Sequence, residues 1–327
     1  MTKRRLFLGA LGALALRPAS ATDSSATANW PDRPIRLVVP FDPGGGADVI
    51  ARLLGKNLSR HLGQPVVIDN RAGAGGAVGT QAVAQSAADG YILGLATQST
   101  HAANPAINPA TPYDPLRDFT PISMLALVPG VLAVHPAVPA QTMPELIELA
   151  RSRPRELSYG TPGIGSLGHL LIAQMEATYG LELLHVPYKS GAAALVDAVG
   201  GRLQVIGDSL PSALQPIRAG RLKAIGVMAE RRVPMLPDVP TFGEVGMGEI
   251  GKPAWFGLVA PAGTPAPLVI KLNDAVRAVM HDPEVSTALA QVGGEAAVGT
   301  PEAFAQVIRA TLETYRAVVE KRGIKPQ

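Results

Sequence analysis

The chain contains no cysteine among its 327 residues. Disulfides, thiolate nucleophiles and cysteine-ligated zinc are therefore excluded, and the fold must rest on core burial alone. Aromatic residues make up only 4% of the sequence, too few for the stacking platforms that grip single-stranded nucleic acid. The six histidines (His61, His101, His135, His169, His185, His281) are scattered, with no HExxH and no close pair, so neither a metal site nor a cofactor is expected. Positive charge is scarce in a less obvious way. The formal net charge is +3, but residues 1–21 hold four bases (Lys3, Arg4, Arg5, Arg17) and no acid, leaving 3 − 4 = −1 for the remainder. No basic stripe remains to track phosphates, which argues against nucleic acid as a partner.

The first 21 residues read as an export signal. A basic head (Lys3, Arg4, Arg5) precedes an apolar run over 6–16, and Ala19-Ser20-Ala21 supplies a small-x-small end, so cleavage is expected after Ala21. The run is shorter than the about 20 residues that a permanent membrane helix needs. Arg4-Arg5 leaves both the Sec and the Tat route open, and either implies a periplasmic protein. A short polar linker follows over 22–29.

What is present is a globular composition, 47% hydrophobic, with an alternating pattern. "IRLVVPF" (35–41) is a continuous apolar run of strand length, as in a strand buried on both faces. The glycine loop "DPGGGAD" comes next, then a helical segment that sets Ile50, Leu53, Leu54, Leu58 and Leu62 on one face. Strand, glycine loop and helix recur in "PVVIDN", "RAGAGG" and "AVGTQAVAQSA", with a third strand at "YILGLAT". This alternation predicts parallel βαβ units. A long apolar stretch over 121–135 is expected to cross into a second βα series, with helices at 143–152, 166–179 and 191–200 and strands at 157–160, 183–187, 203–207 and 223–228. Residues 233–254 are rich in proline and glycine and predict no regular element throughout; "WFGLVAP" returns to strand character, and three helices begin near Pro265, Pro283 and Pro301. Two crossings imply a discontinuous first lobe (30–130 and 254–327) and an inserted second lobe (131–253), with a ligand cleft between them.

The sequence "GIGSLG" (163–168) matches G-x-G-x-x-G, but the dinucleotide reading through Gly163, Gly165 and Gly168 lacks its acid. Glu182 has nearly the right spacing yet opens the next strand instead of ending it. A glycine turn feeding a helix also suits a simpler anion, held by outward N–H groups near the positive end of the helix dipole. "PFDPGGGAD" builds the same turn in the other lobe, and two such turns facing each other form a carboxylate clamp. Asp48 suits either a ligand group or an ordinary first-turn acid, and Thr161 and Ser166 suit either anion donors or caps. His169 suits cleft or core. Asp208, at a strand end, is placed to accept from a ligand amine or hydroxyl, or to cap the turn at "PSALQPI". Ser166, His169 and Asp208 also contain the atoms of a hydrolytic triad, although the loop is not the G-x-S-x-G elbow.

In order, "PIRLVVPFDPGGGADVIARLL", "VIDNRAGAGGAVGTQAVAQSAADGY", "PYDPLRDFTPIS", "LSYGTPGIGSLGHL", "HVPYKSGAAALVDAVGGRLQ", "LPDVPTFGE" and "WFGLVAPAGTP" resemble the Bug-type, TctC-like receptors of tripartite tricarboxylate transporters, over nearly the whole chain from Pro31. The resemblance implies a type II periplasmic-binding-protein fold of two α/β lobes. It also implies a non-enzymatic receptor that closes on a small organic carboxylate (di- or tricarboxylate, acidic amino acid or aromatic acid) and presents it to a membrane permease. Carried over by motif, the ligand contacts are Phe41, Gly45, Gly46, Ala47, Asp48, Gln98 and Ser99 in the first lobe, and Thr161, Gly165, Ser166, His169, Tyr188 and Asp208 in the second. Three departures bear on ligand identity. Ser209 stands where relatives often carry Asn, Ala173 replaces an acid, and Pro162 and Ile164 make the second loop less polar.

Overall fold

The computed structural model describes residues 29–324 except residue 249. The expected export signal, and the linker but for Asn29, lie outside the described residues. Both sheets belong to the unit Pro31–Gln327.

Three apolar runs form the parallel half of the first sheet: β1 (Ile35–Val39), β2 (Val66–Asn70) and β3 (Ile92–Thr97). Helix α1 (Gly46–Leu62) follows β1 and α2 (Ala77–Ala84) follows β2. Ile50, Leu54 and Leu58 of α1 are fully packed away, as their spacing requires, while Leu53 is half-buried. After β3 the chain makes a wide π turn (Ser99–Ala103) and one turn of helix, α3 (Asn104–Ile107). Strand β4 (Phe119–Val128) then runs beside a strand from much later in the chain, β10 (Ala254–Pro261), and the sheet order is β11-β4-β10-β3-β1-β2, with β11 at Glu295–Ala296.

The second sheet is built the same way around β5 (Gly130–Val134), β6 (Ser158–Thr161), β7 (Leu184–Pro187), β8 (Val205–Ser209) and β9 (Lys223–Met228), in the order β7-β6-β8-β5-β9. Its helices are α4 (Met143–Ser152), α5 (Leu167–Tyr179), α6 (Gly191–Val199) and α7 (Leu210–Arg218). Helices α8 (Ala266–Met280), α9 (Pro283–Gln291) and α10 (Pro301–Arg322) complete the chain, each beginning at or just after a proline, where a missing N–H is harmless. The described residues of 233–253 form neither helix nor strand.

The two sheets meet at Pro129. On one side Val128 pairs with Ala254, and on the other Gly130 pairs with both Ser209 and Met228. The chain thus passes once between the sheets through Pro129 and returns through 229–253. The ends of β1, β3, β6 and β8 all deliver their loops to the gap between the lobes, which is the sheet edge where open α/β folds bind ligands.

Candidate functional site

A cavity of about 170 Å³ lies between the lobes. One wall is the loop after β1, with Phe41, Asp42, Gly44, Gly45, Gly46 and Ala47; Thr97, Gln98 and Ser99 adjoin it at the end of β3. The facing wall holds Pro162, Ser166, Leu167 and Gly168 from the start of α5, and Gly207, Asp208, Ser209 and Ser212 from β8 and α7. Ala192, Leu195, Met228, Trp255 and Phe256 supply apolar surface.

Helix α1 starts without any side-chain cap, because its N-cap residue is Gly45. Its amide at Gly46 is instead met from the opposite lobe, where Ser212 Oγ accepts at 2.9 Å. Helix α5 has its own cap, Ser166 Oγ, accepting from the His169 backbone N–H. Here too the opposite lobe contributes: Ser99 Oγ accepts from the Leu167 amide at 3.0 Å. The lobes therefore stand closed, each lending a serine hydroxyl to the other's helix start. Among the described residues, the amides of Ala47 and Gly168 donate to no protein acceptor, and both residues line the cavity. Helix starts of this kind favour an anion.

The glycines of "GIGSLG" prove to be packing residues. A Cβ on Gly163 would stand 3.1 Å from the Gly75 nitrogen, one on Gly165 2.7 Å from Asn104 Cα, and one on Gly168 2.4 Å from the Gly207 oxygen. The first two contacts join the lobes, and the third lets α5 lie against β8. Gly163 and Gly165 also hold φ at +121° and +77°, which suit glycine.

Of the residues singled out from the sequence, Phe41, Gly45, Gly46, Ala47, Gln98, Ser99, Ser166 and Asp208 line the cavity. Asp48, Thr161, Gly165, His169 and Tyr188 stand behind it. Asp48 accepts from the Gly44 amide, from Arg52 Nε at 2.8 Å and from Asn70 Nδ2. Burial by itself would raise its carboxyl, but these bonds outweigh burial and hold it below the usual range. Thr161 Oγ1 bonds His185 Nε2 at 2.7 Å and accepts from the Gly163 amide, shaping the loop. The His169 ring lies 4.7 Å from that of His185, and burial together with that neighbour lowers it to about 4. Tyr188 donates to Asp197 at 2.7 Å. Gln98 is fixed at both ends, donating to Tyr315 and accepting from the Trp255 amide.

Asp208 accepts from the Ser209 amide at 2.7 Å, and burial pushes it up to about 6 against that bond. Ser166 Oγ is engaged by the His169 backbone and not by its ring, so the three candidate triad residues are not linked as one. Spacing gave no warning of Ser212, Met228, Trp255 and Phe256, which reach the cavity from three different elements, whereas Ser209, singled out as a departure from the family, lines it. Among the described residues, no group of three His, Asp or Glu could hold a metal ion, and no helix is long and apolar enough to cross a membrane.

This two-lobed architecture, with a cavity between the lobes at the strand ends, defines a solute-binding receptor fold. The chain belongs to the tripartite tricarboxylate transporter family receptors (TctC), whose profile matches residues 50–324. It is 37% identical over 297 residues to protein BugT of Bordetella pertussis, covering 90% of this chain and 91% of BugT. Among solved structures, the periplasmic binding protein BugD superposes with a TM-score of 0.87 at 33% identity, covering 91% of this chain and 100% of BugD. R. palustris Rpa4515, solved with adipate, also gives 0.87, at 37% identity and the same coverage. The fold is thus the periplasmic-binding-protein fold expected from the sequence, and the family is one of receptors rather than enzymes.

Proposed function

We propose that the chain is an extracytoplasmic receptor that captures a small organic carboxylate by closing its lobes, then presents it to membrane permease subunits. The observation that carries this is the pair of amides, Ala47 and Gly168, that open from two opposed helix starts onto one cavity with no protein acceptor. A carboxylate has two oxygens to offer such a pair, and only the closed form brings both amides to it. Binding therefore favours closure, since the ligand contacts both lobes only there. Hinge motion would pass through Pro129 and the 229–253 return. The adipate held by Rpa4515 supports the ligand class. The N-terminal export signal and the family support a periplasmic location and a transporter partner.

Titration calorimetry against adipate, benzoate, 6-aminohexanoate and citrate tests the reading, with thermal shift as a second measure. At a ligand concentration of about 100 Kd the fold gains roughly 2.7 kcal/mol. A melting temperature unmoved by every carboxylate, with no heat of binding, overturns it.

A further inference from the structure

Resting on the carboxylate reading, we propose that Asp208 is a specificity-determining residue: the site selects acids with one carboxylate, an apolar body and an amine or hydroxyl for Asp208, and disfavours a second carboxylate.

The argument is one of charge. No lysine, arginine or histidine lines the cavity; its charged lining residues are Asp42 and Asp208. Asp42, on the β1 loop, and Asp208, which ends β8 beside Ser209, are both half-buried. Arg52, on the helix that follows that loop, is committed to Asp48 at 2.8 Å. One carboxylate is accommodated by the two helix starts, whose partial positive charge and free amides need no side-chain cation. A second carboxylate has no such partner and stands in the same cavity as an acid. Like charges there repel, and neither can be neutralised without taking up a proton.

Asp208 makes its own demand. Its bonds within the protein go to its neighbour Ser209, through the backbone N–H and, more weakly, the hydroxyl at 3.5 Å. A half-buried carboxylate with so few donors gains from any that a ligand brings. Burial pushes it up to about 6, so at pH 8 it is an anion. The remaining surface comes mainly from Leu167, Leu195, Met228, Trp255 and Phe256, which suits a hydrocarbon body. A cavity of about 150 Å³ holds benzene, so 170 Å³ has room for a ring or short chain.

Matched pairs test this. At pH 8, calorimetry compares 6-aminohexanoate with adipate, and 4-(aminomethyl)benzoate with terephthalate; each pair keeps the body and exchanges an amine for a carboxylate. The expected result is that the amine-bearing acid of at least one pair binds about tenfold or more tightly than its diacid, and that Asp208→Asn removes most of that preference. Diacids binding as tightly as, or more tightly than, their amine partners overturn the inference and leave the carboxylate reading standing. An undiminished preference in Asp208→Asn also overturns it, since the selecting group would lie elsewhere. Binding of none of the four acids overturns the inference, and the carboxylate reading falls with it only if benzoate and citrate also fail to bind. The wild-type comparison needs no variant, so it decides even if Asp208→Asn does not fold.

Discussion

The starts of α1 and α5 face each other and offer the same kind of surface, yet they are built differently. The α1 start is made by omission. Gly44, Gly45 and Gly46 bring no side chains, no residue of the loop caps the helix, and a Cβ on Gly46 would stand 2.4 Å from Ser209 Oγ. The space left empty is filled by the opposite lobe. The α5 start is made by fit. Ser166 caps it, and its three glycines each admit a particular backbone, at Gly75, Asn104 and Gly207. A glycine run in sequence thus has two uses: one lets a partner approach, and the other is the approach. Both leave an amide open to the cavity.

The sharpest way to break this comparison is to add a methyl group on each side. Gly165→Ala forces a non-glycine residue to φ +77° and drives its Cβ to 2.7 Å from the Asn104 backbone. The left-handed conformation costs about 1–2 kcal/mol and overpacking about 1–3 kcal/mol more. The clash exists only between lobes, so its share falls on the closed state. Gly44→Ala has a similar φ of +87° but nothing within 4 Å, so only the conformational strain applies. The expected outcome is a roughly 100-fold weaker carboxylate affinity for Gly165→Ala, with a larger radius of gyration by small-angle scattering, and a near-normal closed form for Gly44→Ala. Equal effects of the two would mean that the contact with Asn104 does not govern closure.

The same contrast explains what the sequence could and could not reveal. Period alone marks β1, with its unbroken apolar run, and α1, whose Ile50, Leu54 and Leu58 share a face. The helices at Met143–Ser152 and Leu167–Tyr179 fall within a residue of expectation because a capping Thr142 and Ser166 announce them. Helix α7 is legible in the sequence only as a turn. Pro211 and Pro216 punctuate it, but Pro211 occupies its first turn, where no donor is needed, and Pro216 is tolerated within the helix. Ser212 went unseen with it. Depth was illegible for a different reason. Asp48 follows Ala47 directly, yet Ala47 lines the cavity while Asp48 turns back to Arg52 and Asn70, a choice made by partners distant in sequence.

Acid probes both lobes together, because each hides a neutral histidine near its loop. Burial lowers His101 to about 3, and burial with His185 nearby lowers His169 to about 4. In the unfolded chain both return to about 6.5. Their folded values lie below the unfolded one, so their contribution is complete above pH 6.5 and is lost as the pH falls toward 4. Asp208 acts in the opposite sense. Its folded value is raised to about 6, so ionisation costs stability as the pH rises through 6, and acidification relieves it. Two groups outweigh one, and a net loss of about 3 kcal/mol is expected between pH 7 and 4.5. Urea unfolding at both values measures it. His169→Gln should flatten part of the slope, and a slope unchanged by that variant would mean that His169 already titrates freely in the folded chain.

The smallest effect discriminates most finely between the two helix starts. Ser212→Ala removes the acceptor on the Gly46 amide, and Ser99→Ala removes the one on Leu167. An ordinary hydrogen bond contributes about 0.5–1.5 kcal/mol net, so each variant should weaken closure by only a few-fold to about tenfold. The two should nevertheless differ. Helix α1 has no cap of its own, and losing Ser212 leaves its first turn dependent on the ligand, whereas α5 keeps Ser166. Ser212 also bonds Ser209 Oγ at 2.8 Å, so its loss leaves that hydroxyl with only its weak bond to Asp208. Ser212→Ala should therefore lower the melting temperature of the ligand-free protein more than Ser99→Ala does, and show the larger recovery when a carboxylate is added. The reverse order would assign the weaker helix start to the second lobe, and the contrast between omission and fit would fail at the level of energy.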